Sequence, residues 1–211
     1  MRKVFLLIEK DFIFCSKSLR FLSFLAASFS FGIFAFIKVE PAYKEYVIVL
    51  ASLWILSTAL LDLLVYRDIV KNRVSHILAF GFDSFELMLS KSIFMTMFSV
   101  FVSFLWVVFF RIMAIILDRD YHSLNNLNFL ILIPTVFFII SVSVFLTFRF
   151  RISRPIRIVF IIGLLIINEF RELIAAISKS GFVYIGLIAF FIIADIIIIK
   201  IMRNSKNEDI I

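Results

Sequence analysis

The chain has 211 residues, 63% of them apolar, and a mean hydropathy of +1.11, far above the roughly 45–50% apolar content of soluble domains. It carries 22 Lys and Arg against 15 Asp and Glu, a net charge of +7. The composition excludes most soluble enzymes, and the positive excess reads as the loop bias of a membrane protein rather than a nucleic-acid footprint.

Residues 1–20 are too charged to cross a bilayer. Glu9, Lys10 and Asp11 interrupt the apolar run and no small-residue cleavage site follows, so the segment is expected to be uncleaved. Val4, Phe5, Ile8, Phe12, Cys15 and Leu19 recur at helical spacing, opposite Arg2, Lys3, Glu9, Lys10, Lys17 and Arg20. This predicts an amphipathic helix lying in the membrane interface, its Phe-rich face in lipid. Cys15 is the only cysteine. An internal disulfide or a cysteine metal cluster is therefore excluded within this sequence, and a buried small apolar role is expected for it.

Residues 21–202 read as a transmembrane domain, followed by a tail at 203–211. Phe21–Ile37, Tyr46–Tyr66, Ile93–Leu117, Phe129–Phe148 and Phe182–Met202 approach or exceed the roughly 20 residues that a helix needs to cross. Ile158–Asn168 is a shorter sixth stretch. Asn168-Glu169-Phe170-Arg171-Glu172 then breaks it, which fits either re-entrant helices or a tilted span with a polar outer end. Basic residues alternate between the loops: Arg2 to Arg20, Arg67 to Lys91, Arg149 to Arg157 and Lys200 to Lys206 hold about three times as many as the other set, Lys38, Lys44, Arg119, Arg171 and Lys179. The positive-inside rule then puts both termini in the cytoplasm and requires an even number of crossings. The expected fold is all-α and polytopic, with six transmembrane helices in the cell membrane.

The longest stretch outside the spans is 67–91, RDIVKNRVSHILAFGFDSFELMLSK. Val70, Val74, Ile77 and Leu78 form one short amphipathic piece; Phe85, Leu87, Met88 and Leu89 form another. Gly81 separates them and can supply a turn, and Asp83 or Ser84 can cap the second piece. Two short helices joined by a turn make a compact elbow on the cytoplasmic side.

Several segments carry a resemblance here: Asp68; Ser75-His76-Ile77-Leu78; Ala79-Phe80-Gly81-Phe82; Ser84-Phe85-Glu86-Leu87-Met88-Leu89-Ser90-Lys91; and the opening Leu7-Ile8-Glu9-Lys10-Asp11. The chain resembles the membrane subunits of type-2 ATP-binding-cassette exporters, in which an amphipathic N-terminal helix precedes six spans. The resemblance implies that the elbow is a coupling helix that receives force from a separate ATPase subunit, with Asp68, His76, Asp83, Phe85, Glu86 and Lys91 as its coupling residues. It also implies a second permease subunit, identical or homologous, with the substrate pathway between the two. Asp83 and Glu86, three apart on one helical face, are expected to present charge to the ATPase. No cofactor is expected on this chain, ATP being bound by the separate subunit. Gly181 to Gly186 has the glycine spacing of a phosphate loop, but Leu187 stands where Lys is required. No H-E-x-x-H or G-x-S-x-G occurs, so the chain reads as a transport subunit and not an enzyme.

Asp62, Arg111 and Asp195 fall inside apolar runs and are expected to face protein or water, since an unpaired charge at membrane depth is costly. Arg111 is expected to snorkel outward toward Asp118 or Asp120. Arg149, Arg151, Arg154 and Arg157 form a strip without an acid among them, suited to anionic lipid headgroups or to an acidic partner. Two other functions remain open on the sequence: a non-transporting scaffold or immunity protein, and a proton-coupled transporter using Asp62 or Asp195. The nearly uncharged, Phe-rich interior favours an amphipathic or lipidic substrate.

Overall fold

A computed structural model describes residues 2–39, 44–71, 73–118, 126–151 and 181–205. The expected short crossing at Ile158–Asn168, the break that follows it, Arg154 and Arg157 lie outside these residues. The described chain is all-helical, and five of its helices are long and apolar enough to cross a membrane. The protein is a multi-pass membrane protein.

Helix α1 spans Arg2–Ser16 and ends where Ser18 leaves helical geometry. The Ser18 hydroxyl accepts the Phe21 amide at 3.4 Å and so caps α2, Leu19–Lys38. α3, Lys44–Leu60, runs without interruption through a π-helical turn, Leu61–Tyr66, into the short α4, Arg67–Val70. α5 covers Arg73–Ala79. α6 is a 33-residue helix, Ser84–Ile116, followed by α7, Asn126–Phe150, and α8, Gly181–Asn204. The second piece of the elbow is therefore not a separate short helix. It is the first two turns of α6, because the apolar pattern from Phe85 onward runs into the span without a breaker.

The helices pack in sequence, α2 on α3, α3 on α6, α6 on α7 and α7 on α8, with α1 laid against the start of α6. Burying apolar side chains gains little against lipid, so helix association here relies on small and hydroxylic residues. Between α3 and α6, Ser52 lies 2.8 Å from Ser103 and Ser57 lies 3.3 Å from Ser99, hydroxyl to hydroxyl. Between α2 and α6, the Trp106 indole donates to Ser28 at 2.6 Å. Gly32 faces the Phe110 ring so closely that a Cβ there would sit 2.5 Å from it.

The face expected to lie in the interface is split, its phenylalanines outward and Val4 and Cys15 inward. Val4, Leu7, Asp11 and Cys15 turn inward, while Phe5, Phe12 and Leu19 are exposed. The helix has two apolar sides. The wheel's face draws on both: its outward part lies as an interfacial surface would, whereas the packed side includes a carboxylate.

Candidate functional site

At one end of the bundle, α1, the elbow and the final turn of α8 come together. The Ser84 hydroxyl donates to the Ser205 carbonyl at 3.1 Å, which places the end of α8 beside the start of α6. Lys91, buried on α6, donates from Nζ to Asp11 Oδ1 at 2.8 Å and to Asp68 Oδ2 at 3.0 Å. Asp11 belongs to α1 and Asp68 to α4, so one ammonium joins three elements. Lys10 approaches Asp68 at 4.0 Å from the solvent side. Two carboxylates against one ammonium leave an excess negative charge that Lys10 partly offsets.

Burial pushes the Asp11 carboxyl above its ordinary range, an effect that the Lys91 charge opposes. Partial burial and the neighbouring Lys91 hold the Lys10 amine below its usual value. Burial also pushes the Cys15 thiol up to about 12, so it stays protonated and unreactive at neutral pH.

The elbow is clipped to this base a second time. Lys3 donates to the Gly81 carbonyl at 2.6 Å, lies 3.9 Å from Glu86 and sits over the Phe82 ring. Gly81 has φ +80°, a left-handed turn with open space around it. Asp83 and Glu86 form a capping box: Asp83 Oδ1 accepts the Ser84 amide at 3.0 Å and Glu86 Oε2 accepts the Asp83 amide at 3.0 Å. The two acids are thus occupied by the start of α6 and by Lys3. Phe85 packs half-buried against the core. Arg67 lies over the Phe14 ring at 3.9 Å.

Of the expected coupling residues, the structure gathers Asp68 and Lys91 in the buried cluster and joins Glu86 and Asp83 in the cap. It leaves His76 exposed on α5, one turn from Phe80, which is 84% exposed at the tip. Arg149 and Arg151 are exposed at the end of α7.

Arg111 does not turn toward Asp118. It pairs with Glu45 at the start of α3, Nη2 to Oε1 at 2.6 Å and Nε to Oε1 at 2.8 Å, with the Glu45 side chain buried. The buried carboxylate of Glu45 on the neighbouring helix gives the partly exposed Arg111 a direct, charge-assisted partner. Asp62 lies on the exposed side of the π-helical turn.

Above the charged base, α6, α7 and α8 line a cavity of about 400 Å³ that is open on one side, where Met97, Ile133 and Ile192 are exposed. Ile93, Thr96 and Met97 line it from α6, Ile133, Pro134 and Phe137 from α7, and Ile188, Ile192 and Asp195 from α8. Asp195 therefore faces a cavity. Its Oδ1 is buried and has no hydrogen-bond partner among the described residues, and the same holds for Thr96 Oγ1. Along α6, Thr96 stands five residues past Lys91, about 7.5 Å of helix rise.

Sequence reasoning missed the roles of Asp11 and Glu45. The signal for Asp11 was its position: an acid at helical spacing from Leu7 and Cys15, on a segment next to a membrane edge that also holds Lys91. No protein-family model, curated protein or solved structure matches the chain.

Proposed function

We propose that this chain is the transmembrane permease subunit of an ATP-driven exporter, working with a second permease subunit and a separate ATPase that docks on the elbow. One observation carries the reading: the elbow is fastened at its root and left exposed at its tip. Lys91 and Asp68 tie it to α1 and α6, Lys3 ties its turn to α1, and Phe80 stands out with His76 beside it. An element that transmits force needs both properties. A push on Phe80 reaches Gly81 and the capped start of α6, and α6 is a continuous helix from there to the cavity wall at Thr96 and Met97.

Two further observations support it. The N-terminal helix and the end of α8 share one end of the bundle, in keeping with an even number of crossings. That end carries the basic residues expected in the cytoplasm. ATP-driven closure of the ATPase would tilt α6 and change access to the cavity, a motion of the shear kind between packed helices.

The test is Phe80→Asp. Phe80 makes no cap and no ion pair among the described contacts, so the variant is expected to insert and fold normally. Purified wild-type protein should carry an ATP-hydrolysing subunit and stimulate its turnover, and the variant should lose both. Wild-type protein with no associated ATP hydrolysis, or a variant that keeps full stimulation, removes the exporter reading. The first outcome would favour a non-transporting scaffold.

A further inference from the structure

We infer that the cavity between α6, α7 and α8 is a binding site for a lipophilic protonated amine, with its ammonium between Asp195 and Thr96 and its hydrocarbon body along the surrounding apolar wall. The site is built on α6, α7 and α8 alone and does not depend on the chain being an exporter.

The cavity, about 400 Å³, falls within the usual range for small-molecule sites. Its walls are branched aliphatic, thioether, proline and phenyl groups, with two polar exceptions, Asp195 and Thr96. Both present a buried oxygen without a hydrogen-bond partner among the described residues, and Thr96 as a residue is only 4% exposed. Buried oxygens are nearly always satisfied, because an unmade hydrogen bond in an apolar surrounding costs the full desolvation of the group. Five other buried polar atoms of the bundle, Asp11 Oδ2, Trp54 Nε1, Arg67 Nε, Ser92 Oγ and Ser141 Oγ, also have no partner among the described residues, but none of them lines the cavity. Many buried hydroxyls are paired: Ser28, Ser52, Ser57, Ser99 and Ser103 all find partners across helices. Two unmet acceptors lining one apolar cavity mark a place whose partner comes from outside the described residues.

The chemistry of that partner follows. A carboxylate selects a cation. Two acceptors on separate helices select a donor with more than one N–H, as a primary or secondary ammonium has and a quaternary one does not. The surrounding wall then demands an apolar body. An anionic or neutral amphiphile would leave Asp195 unmatched, and a hydrated metal ion would find too few oxygens among the lining residues.

The purified full-length chain, reconstituted in nanodiscs without any ATPase, tests this directly. The ligand is an alkylamine with a dansyl group at its far end, compared with the matching alcohol and the matching trimethylammonium. Saturable dansyl fluorescence should show the amine binding most tightly, the trimethylammonium more weakly and the alcohol about tenfold or more weaker. Asp195→Asn should remove most of the amine's advantage and leave the alcohol unchanged. Thr96→Val should weaken the amine about threefold. Ile188→Trp, which fills the cavity, should weaken all three.

Equal affinity for amine and alcohol in the wild type would make the cavity a plain acyl-chain groove and overturn the proposal. So would full amine binding to Asp195→Asn, undiminished binding to Ile188→Trp, or no saturable amine binding at all. No ATPase takes part, so failure here leaves the exporter reading standing, and failure of the Phe80 test leaves this site standing.

Discussion

The base of the bundle and the cavity level above it differ in how far buried charge is paired. At the base, Lys91 is enclosed by two carboxylates on two other elements, and the more peripheral Lys3 and Glu86 have partners. Each buried charged group there makes an ion pair or a cation–ring contact, although Asp11 Oδ2 and Arg67 Nε have no hydrogen-bond partner among the described residues. At the cavity, one carboxylate oxygen and one hydroxyl oxygen lie buried with none among the described residues. The two levels are about 7.5 Å apart on α6, so general hydrophobicity does not explain the difference. Satisfied charge holds elements in fixed relation, and unsatisfied polarity awaits an occupant. The base is accordingly read as an attachment and the cavity as a site.

The largest expected effect tests the attachment. Lys91→Met leaves Asp11 and Asp68 buried together without their cation and should destabilise the protein by about 3–5 kcal/mol. Asp195→Leu should by contrast leave the unfolding temperature unchanged or raise it, since it removes an oxygen with no partner. Thermal unfolding in detergent measures both. If Lys91→Met is neutral and Asp195→Leu is severe, the comparison is reversed. The all-apolar replacement of Asp11, Asp68 and Lys91 together should recover much of the lost stability, because the penalty lies in the unpaired charges.

The Arg111–Glu45 pair is the corresponding bond toward the other end of α6. Its guanidinium side is 36% exposed, so water screens part of the charge. Glu45→Gln should cost about 1–2 kcal/mol, less than Lys91→Met, in the same unfolding measurement. A loss equal to that of Lys91→Met would mean that the base is not special.

The capping box should contribute less again. Asp83→Ala removes the cap at the start of α6 and should cost about 1 kcal/mol. It also sharpens the functional comparison: reversing Asp83 and Glu86 would disturb the cap as well as any docking, so Phe80→Asp is the cleaner variant. A helix start that unravels by hydrogen exchange in Asp83→Ala, with partner binding intact, would separate the two roles.

The smallest effect concerns pH. Burial raises the Asp11 pKa in the folded protein above the ordinary 3.8. The folded state therefore holds this proton more tightly than the unfolded state. The stability that Asp11 contributes is fully present below the unfolded pKa and is lost as pH rises through the folded one. Relative to Asp11→Asn, wild-type stability should increase as the pH falls from neutral toward 3.8. A difference that instead shrinks on acidification would show that the Lys91 charge, not burial, governs this carboxyl.

Much of this arrangement is legible in the sequence, and the reasons for the remainder are specific. Apolar length and hydropathy mark the five described crossings, since the bilayer sets a minimum helix length. The turn at Gly81 and the cap at Asp83 are local chemistry, readable from neighbouring residues. Asp195 stands out because an acid among isoleucines has few explanations. The Lys91 cluster is not readable in this way: its bonds join residues 80 and 23 positions apart, and helix docking alone decides which acid meets which base. For the same reason Arg111 is drawn toward Asp118 by sequence proximity, while its partner comes from the start of α3. The inward face of α1 is obscured because its buried stripe contains Asp11, which a hydrophobicity pattern counts as polar.

The wide turn at Leu61–Tyr66 has a consequence for the phase of the second span. There the Arg67 amide bonds to the Asp62 carbonyl, five residues back instead of four. Such a turn accommodates one residue more than an α-helical turn and so offsets everything after it by about 100° around the axis relative to a regular helix. The upper part of the span presents Ser52 and Ser57 to α6, and the lower part must present Asp68 to Lys91. The extra residue sets the angle between those two faces. Deleting a single residue from this turn would shorten the span by only about 1.5 Å, yet it would swing Asp68 away from its ammonium. By that reasoning the exposed Asp62 matters as a unit of angular spacing, whatever its side chain does.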